Sequence, residues 1–435
     1  MTAKYVLLDV DGTLIDALDN QRRIWGTWAR RYGLDPDTVY RTALRTRPME
    51  TFAEVAPDRD PHACLDLLHT LEDDDVRDGA YSAFDGAADL LAALPAGSWA
   101  LVTSNYEHRV RGRFTRTGLP LPEVIVDAAS VEEGKPSPVP YLLAAKRLGA
   151  DPADCLVIED APSGVRAGLA AGMTVWSVNS PANQGISTGA HRHFTTLRDA
   201  VDDIRAFRSG GRPFDAVLCD LDNVIRFYDT TRLAELERAS GLPEGTTMEV
   251  AFAPEVDLPL LLGRITTDEW AEAIAQGLTD RGTDRGTDAA KAPADGRVTG
   301  ERARELGRAL ARAPFRADAE VVALLRRARA HVPLVLVTNA SPQLDQDLVS
   351  LGLTDLADQV VSSAVEGMAK PDRAIYEIAA ARAGVPKERC LFVDDRRENV
   401  EAAVALGMTG VLFHEPVDLE RALGPVLKSA PRRNA

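Results

Sequence analysis

Two apolar patterns alternate along this chain. Short runs dominated by β-branched and aliphatic residues, VLLDV, WALVT, CLVIE and MTVWSV, and later AVLCD, LVLVT, CLFVD and TGVLF, have the length and composition of buried strands. Between them lie stretches with helical spacing of apolar positions, such as PYLLAAKRLGA and AIYEIAAARAGV. This alternation predicts an α/β fold: an open parallel sheet, doubly wound, with helices on both faces. In such sheets ligands bind beyond the carboxyl ends of the strands.

The pattern occurs twice. VLLDVDGTLID (6–16), WALVTSNYEHRV (99–110) and VEEGKPSPVPYLLAAKRLGADPADCLVIEDAPSGVRAGLAAGM (131–173) have counterparts in VLCDLDNVIRF (217–227), PLVLVTNASPQL (333–344) and VEGMAKPDRAIYEIAAARAGVPKERCLFVDDRRENVEAAVALGM (365–408). Spacing supports the repeat more strongly than the letters do. Thr103 to Lys135 and Thr338 to Lys370 both span 32 residues, and Lys135 to Asp160 and Lys370 to Asp395 both span 25. We therefore expect two tandem Rossmann-like modules, 1–209 and 213–435. Each carries a mainly helical cap after its first strand, about 16–80 and 228–314. Asp9 to Thr103 spans 94 residues and Asp220 to Thr338 spans 118. The excess matches the polar, RGTD-repeating stretch 279–300, expected to be a disordered insertion.

Composition narrows the classes. A chain of 435 residues with 45% hydrophobic and 27% charged content is globular and too long for one core. No apolar run approaches the roughly 20 residues of a membrane span. The opening MTAKYVLLDVDG lacks a signal-peptide cleavage pattern, so a cytoplasmic location is expected. Cys64, Cys155, Cys219 and Cys390 show no metal-ligand or CxxC spacing and are expected to be buried free thiols. A net charge of −16 argues against a nucleic-acid surface, although a local lysine and a metal can still attract a small anion.

The chemistry is concentrated at the strand ends. Asp9 and Asp11, then Asp220 and Asp222, follow apolar strands directly, and residues two apart on extended chain point to one side. Charged carboxylates there are costly unless a cation sits beside them. With the acidic pairs Glu159–Asp160 and Asp394–Asp395 on another strand, they suit Mg²⁺. In each module the ligands would be the first Asp (Asp9, Asp220), the backbone carbonyl of the second (Asp11, Asp222), and Asp160 or Asp395. Glu159 and Asp394 would ligate or support. Asp9 and Asp220 are the candidate nucleophiles, forming an aspartyl-phosphate. Asp11 and Asp222 would protonate the leaving oxygen and then activate water. Thr103 and Thr338, with Ser104 and Asn339 adjacent, would donate to phosphate oxygens. Lys135 and Lys370 would neutralise charge, and Gly12 suits a tight turn near an anion.

These motifs resemble the haloacid dehalogenase superfamily of aspartate-nucleophile phosphatases, over nearly the whole chain. In the first module DVDGTLID, VTSN, GKPSPVPYLLAAKRLG and CLVIEDAPSGVRAGLAAGM are similar to the branch acting on small sugar and polyol phosphates. That resemblance implies a helical cap closing over substrate, with Arg47 and Glu50 as cap contacts. The second module has DLDNV where DxDGT is usual and, with DDRRENV, is similar to a branch acting on sugar phosphates. The expected activity is a Mg²⁺-dependent phosphomonoesterase with two sites for small phosphorylated metabolites. A phosphomutase would use the same groups, and a module kept only for binding is the third reading. The sequence leaves substrate and oligomeric state open.

Overall fold

The computed structural model describes residues 4–44, 46, 48–180, 188–208, 212–281 and 298–427. It divides into two compact units, Met1–Gly211 and Arg212–Ala435.

In the first unit the strands are β1 (Tyr5–Leu8), β2 (Ile15–Asp16), β3 (Ser82–Ala83), β4 (Trp99–Val102), β5 (Val124–Val126), β6 (Cys155–Glu159), β7 (Thr174–Ser177) and β8 (Arg192–His193). Six of them form a parallel sheet in the order β5-β4-β1-β6-β7-β8. Leu7 lies opposite both Ala100 and Val157, so β1 is central and the strand order reverses around it. That reversal opens the crevice where doubly wound sheets bind ligands. Side chains alternate between two cores. Val6, Leu8, Leu101 and Ile158 face one layer of helices, whereas Leu7, Val102, Val157 and Val175 face the other. Burial on both faces is why these strands read as unbroken apolar runs.

The second unit contains β9 (Ala216–Cys219), β10 (Arg226–Tyr228), β11 (Phe315–Ala317), β12 (Leu334–Thr338), β13 (Gln359–Ser362), β14 (Cys390–Asp394) and β15 (Thr409–Leu412). Its parallel sheet, β13-β12-β9-β14-β15, repeats the first five positions of the other. Val217 and Val393 face one core, and Leu218 and Phe392 the other. The edge strands β5 and β13 were not among the expected strands, because three or four residues with two or three apolar positions carry no period.

Each first strand is followed by a turn and a short antiparallel ribbon, β2–β3 or β10–β11. Helices fill the chain between the ribbon strands. In the first unit these are Leu18–Arg31, Pro36–Ala43, Pro48–Val55 and Pro61–Asp78. Asp35 and Asp60 cap two of them, accepting N–H bonds from Thr38 (2.8 Å) and His62 (3.0 Å), with proline in the first helical position. These helices enclose a small core of their own, in which Trp28 stacks on Phe52 with ring centroids 5.1 Å apart.

In the second unit the corresponding helices are Thr231–Ala239, Thr246–Ala251, Pro254–Leu261, Thr267–Arg281 and Gly300–Ala311. They bury Leu236, Trp270, Ile274 and Leu306 together. The last two approach so closely that a Cβ on Gly307 would meet the Ala271 carbonyl. The stretch expected to be a disordered insertion, 279–300, is helical at both ends, through Arg281 and from Gly300. Its interior, 282–297, lies outside the described residues. No described helix is long and apolar enough to cross a membrane. All four cysteines are free and buried.

Candidate active sites

Both candidate sites stand at the carboxyl end of the central strand. In the first unit the backbone N–H of Asp9 continues the ladder to Ile158 (3.1 Å), which fixes Asp9 at the tip of β1. The Lys135 ammonium donates to Asp9 Oδ1 (2.6 Å), Glu159 Oε1 (2.5 Å) and the Val102 carbonyl (2.9 Å). Glu159 Oε1 also accepts the Tyr141 hydroxyl (2.9 Å), and Oε2 accepts the N–H groups of Asp160 (3.1 Å) and Ala161 (3.0 Å). Thr13 donates to Asp160 Oδ1 (3.1 Å).

The second unit repeats the arrangement. Lys370 pairs with Asp220 (2.8 Å) and Asp394 (2.6 Å). Asp394 is further held by Asn399 (3.0 and 3.1 Å) and the Arg396 N–H (2.9 Å).

Each cluster contains three carboxylates and one ammonium. Oxygens of Asp9, Glu159 and Asp160 lie within 4.8 Å of one another, as do those of Asp220, Asp394 and Asp395. Burial, reinforced by the neighbouring carboxylates, holds Asp9 well above the usual carboxylate range despite Lys135. Burial and the charge of Glu159 push Asp160 up to about 7. Asp220 rises to about 8, again from burial, with Lys370 opposing and Asp394 adding. Burial alone would depress the two lysines, but the carboxylates outweigh it and raise both. Such sites lack positive charge, and their hard oxygen donors fit a divalent cation that would reverse the carboxylate shifts.

The threonines stand at the carboxyl ends of β4 and β12, the strands beside β1 and β9. Thr103 is buried, and its hydroxyl accepts the Asn105 N–H (3.1 Å). Thr338 is fully buried with a hydroxyl that finds no partner among the described residues, a costly state for a polar group. Ser104 is exposed. Asn339, expected at the phosphate, instead uses both ends of its amide on the Lys370 backbone (2.9 and 2.8 Å), so it orients the lysine.

The second Asp of each pair departs from the expected geometry. β1 and β9 stop at Leu8 and Cys219, so strand alternation does not govern the pairs. Asp11 turns to Arg113, which contacts both its oxygens, and to Asn105 (3.3 Å). Asp222 forms a two-pronged pair with Arg226 (2.6 and 2.9 Å). Neither carboxylate belongs to the acidic clusters.

The turn after each pair differs in a way that explains DLDNV. Gly12 has φ +94, and a Cβ there would collide with the Asp160 carboxylate. Asn223 takes the same place with φ +58, a conformation that Asn tolerates better than most residues. The turn closes identically, Gly12 N–H to the Ile15 carbonyl and Asn223 N–H to the Arg226 carbonyl, both 2.9 Å. Asn223 Nδ2 donates to Asp395 (3.0 Å), replacing the bond that Thr13 makes to Asp160. Val224, in the Thr13 position, is buried in the core.

Sequence reasoning missed Arg113, Arg226, Asn105, Asn399 and Asn179. Asn179 donates to the carbonyls of Gly12 (2.9 Å) and Thr13 (3.0 Å), clamping the turn. Tyr141 and Tyr376 each follow the site lysine by six residues, a repeated interval that was legible. Arg47 lies outside the described residues, and Glu50 is exposed on the helix Pro48–Val55.

Comparison with known proteins gives consistent matches. A model of haloacid dehalogenase-like hydrolases matches residues 3–172 and 214–407. Hexitol phosphatase A of Escherichia coli is 40% identical over 190 residues, covering 42% of this chain and 86% of that protein. Validoxylamine A 7'-phosphate phosphatase of Streptomyces hygroscopicus is 31% identical over 185 residues, covering 39% and 83%. A crystal structure of CbbY from Rhodobacter sphaeroides with phosphate has a TM-score of 0.41 and 22% identity, covering 46% of this chain and 96% of that one.

Proposed function

The chain belongs to the haloacid dehalogenase-like hydrolases and is a phosphatase of that family, and from this premise we propose that each module is a Mg²⁺-dependent phosphomonoesterase working through an aspartyl-phosphate on small sugar or polyol phosphates. The observation that carries this reading is the repeated cluster: a buried Asp at the tip of the central strand, a buried Lys across from it, and an acidic pair on the neighbouring strand. The substrate class is supported by similarity to phosphatases named for hexitol and validoxylamine phosphates.

Asp9 or Asp220 would attack phosphorus while the bond to the leaving oxygen breaks. Asp11 or Asp222 would give that oxygen a proton and recover one from the water that hydrolyses the acyl phosphate. Thr103 and Thr338 would hold phosphoryl oxygens through their hydroxyls, giving the partnerless Thr338 hydroxyl an acceptor. Lys135 and Lys370 would counter the charge gathering on nucleophile and phosphoryl group. The carboxylates of Asp9 and Asp160, or Asp220 and Asp395, with the Asp11 or Asp222 carbonyl, would hold Mg²⁺. Glu159 and Asp394, already saturated by protein donors, would support them. When bound, the cation supplies positive charge that offsets repulsion between carboxylate and phosphate.

Phosphate release from a panel of sugar, polyol and nucleoside phosphates, with Mg²⁺ and then with chelator, tests this reading. It predicts Mg²⁺-dependent release from at least one sugar or polyol phosphate. Release that is indifferent to chelation, or confined to nucleotides, would overturn it.

A further inference from the structure

Resting on that reading, we propose that Arg113 and Arg226 are positioning residues for the proton-transferring carboxylates, and that the two modules supply the same arginine from opposite elements. Arg113 stands on the helix Glu107–Thr117, which follows β4, and contacts both oxygens of Asp11. Arg226 opens the ribbon strand β10 and grips Asp222 from Nε (2.6 Å) and Nη2 (2.9 Å). Its third nitrogen donates to Asp347 (2.7 Å), on the helix Leu344–Leu351 that follows β12.

The repeat shows that these are not one ancestral contact. In the register of the aspartates, Arg226 corresponds to Ile15, which is buried in the first unit's core. In the register of the threonines, Arg113 corresponds to Leu348, buried in the second. Each module thus has arginine where the other has an aliphatic residue, and both guanidiniums end on the same carboxylate.

Their surroundings agree as well. Both arginines are buried, with side chains 3% exposed. Arg113 lies over the Tyr81 ring (5.3 Å), next to the ribbon strand β3. Arg226 lies over Tyr228 (5.1 Å) and Phe315 (5.4 Å), both in the ribbon. Arg226 grips with two nitrogens and Arg113 with Nη1 alone, but each planar guanidinium is wedged between aromatic ring and carboxylate with few ways to turn, so it fixes where the carboxylate points.

The role predicts a dependence on the leaving group. A sugar alkoxide needs its proton as the phosphorus–oxygen bond breaks, whereas p-nitrophenolate leaves without one. Because kcat/KM includes only steps up to leaving-group departure, it isolates this demand from the later hydrolysis. The test uses the full chain with the other module silenced: Arg113→Met with Asp220→Asn, and Arg226→Met with Asp9→Asn. The substrates are the sugar phosphate turned over by each module and p-nitrophenyl phosphate. We expect kcat/KM for the sugar phosphate to fall about 100-fold while that for the aryl phosphate stays within about 3-fold. Arg113→Lys and Arg226→Lys, which keep charge but lose the planar guanidinium, should recover part of the sugar-phosphate loss and serve where the Met variants fail to fold. Equal losses on both substrates, in either the Met or the Lys variants, would mean the arginines only support the fold and would overturn the proposal. A chain that hydrolyses neither substrate before substitution would instead refute the phosphatase reading on which it rests.

Discussion

The two modules keep one arrangement of charge with different parts. Around the first site Gly12 makes room for the Asp160 carboxylate, Thr13 holds it, and Asn179 clamps the turn. Around the second, Asn223 both makes the turn and holds Asp395 through its own amide. The supporting acid differs too. Glu159 reaches two loop N–H groups and Tyr141, whereas the shorter Asp394 reaches one, that of Arg396, and takes the Asn399 amide. A departure from a motif's letters is therefore no sign of a lost site when another residue supplies the missing bond. What is constant is the electrostatic problem: three carboxylates against one ammonium beside a central strand.

The largest effects should come from the shared parts. Asp9→Asn or Asp220→Asn should lower its own module's kcat by at least about 10⁴-fold and leave the other's substrate untouched. Steady-state assays of each single variant check this independence, and cross-inhibition would break the comparison. Lys135→Ala and Lys370→Ala should each cost about 3–5 kcal/mol of stability by stranding buried carboxylates. Denaturant melts would register this as lower midpoints, partly restored by Mg²⁺.

The turn sharpens the contrast. Gly12→Asn should lower first-module activity about 100-fold, since its Cβ displaces Asp160. Asn223→Gly should cost the second module no more than about 3 kcal/mol, the upper worth of one hydrogen bond to a charged group. Comparing kcat/KM and melting curves for this pair separates displacement from a lost bond.

The last effect is on pH dependence. Asp160 near 7 and Asp220 near 8 lie above the ordinary carboxylate value of about 3.9. Between those limits these two carboxyls hold protons that their unfolded counterparts have released, so their contribution to metal-free stability should fall as pH rises from about 4 to about 8. Thermal melts in chelator should show that decline, and Mg²⁺ should flatten it because a bound cation favours the charged forms.

Much of this was written in the sequence because the repeat made spacing informative. The repeated motifs and intervals singled out Asp9, Lys135 and Asp160 before any contact was known, and their counterparts likewise. Central strands buried on both faces announced themselves as apolar runs, whereas β5, β13 and the ribbons were too short to carry a period. Arg113 and Arg226 were invisible for a different reason. They occupy unrelated positions in the repeat, so the register that revealed the aspartates concealed their partners. Asn339 misled because adjacency to Thr338 says nothing about which way its amide turns. Only the fold shows it clasping the Lys370 backbone.

If both modules carry a working nucleophile, each must take up the phosphoryl group during turnover. Rapid quenching of the intact protein during turnover of its sugar phosphates, followed by peptide mapping, locates the phosphoryl group directly. The account predicts acid-stable, base-labile labelling of two peptides, one containing Asp9 and one containing Asp220, each abolished by its own Asn substitution. Label confined to one module, or carried on any other residue, would contradict it.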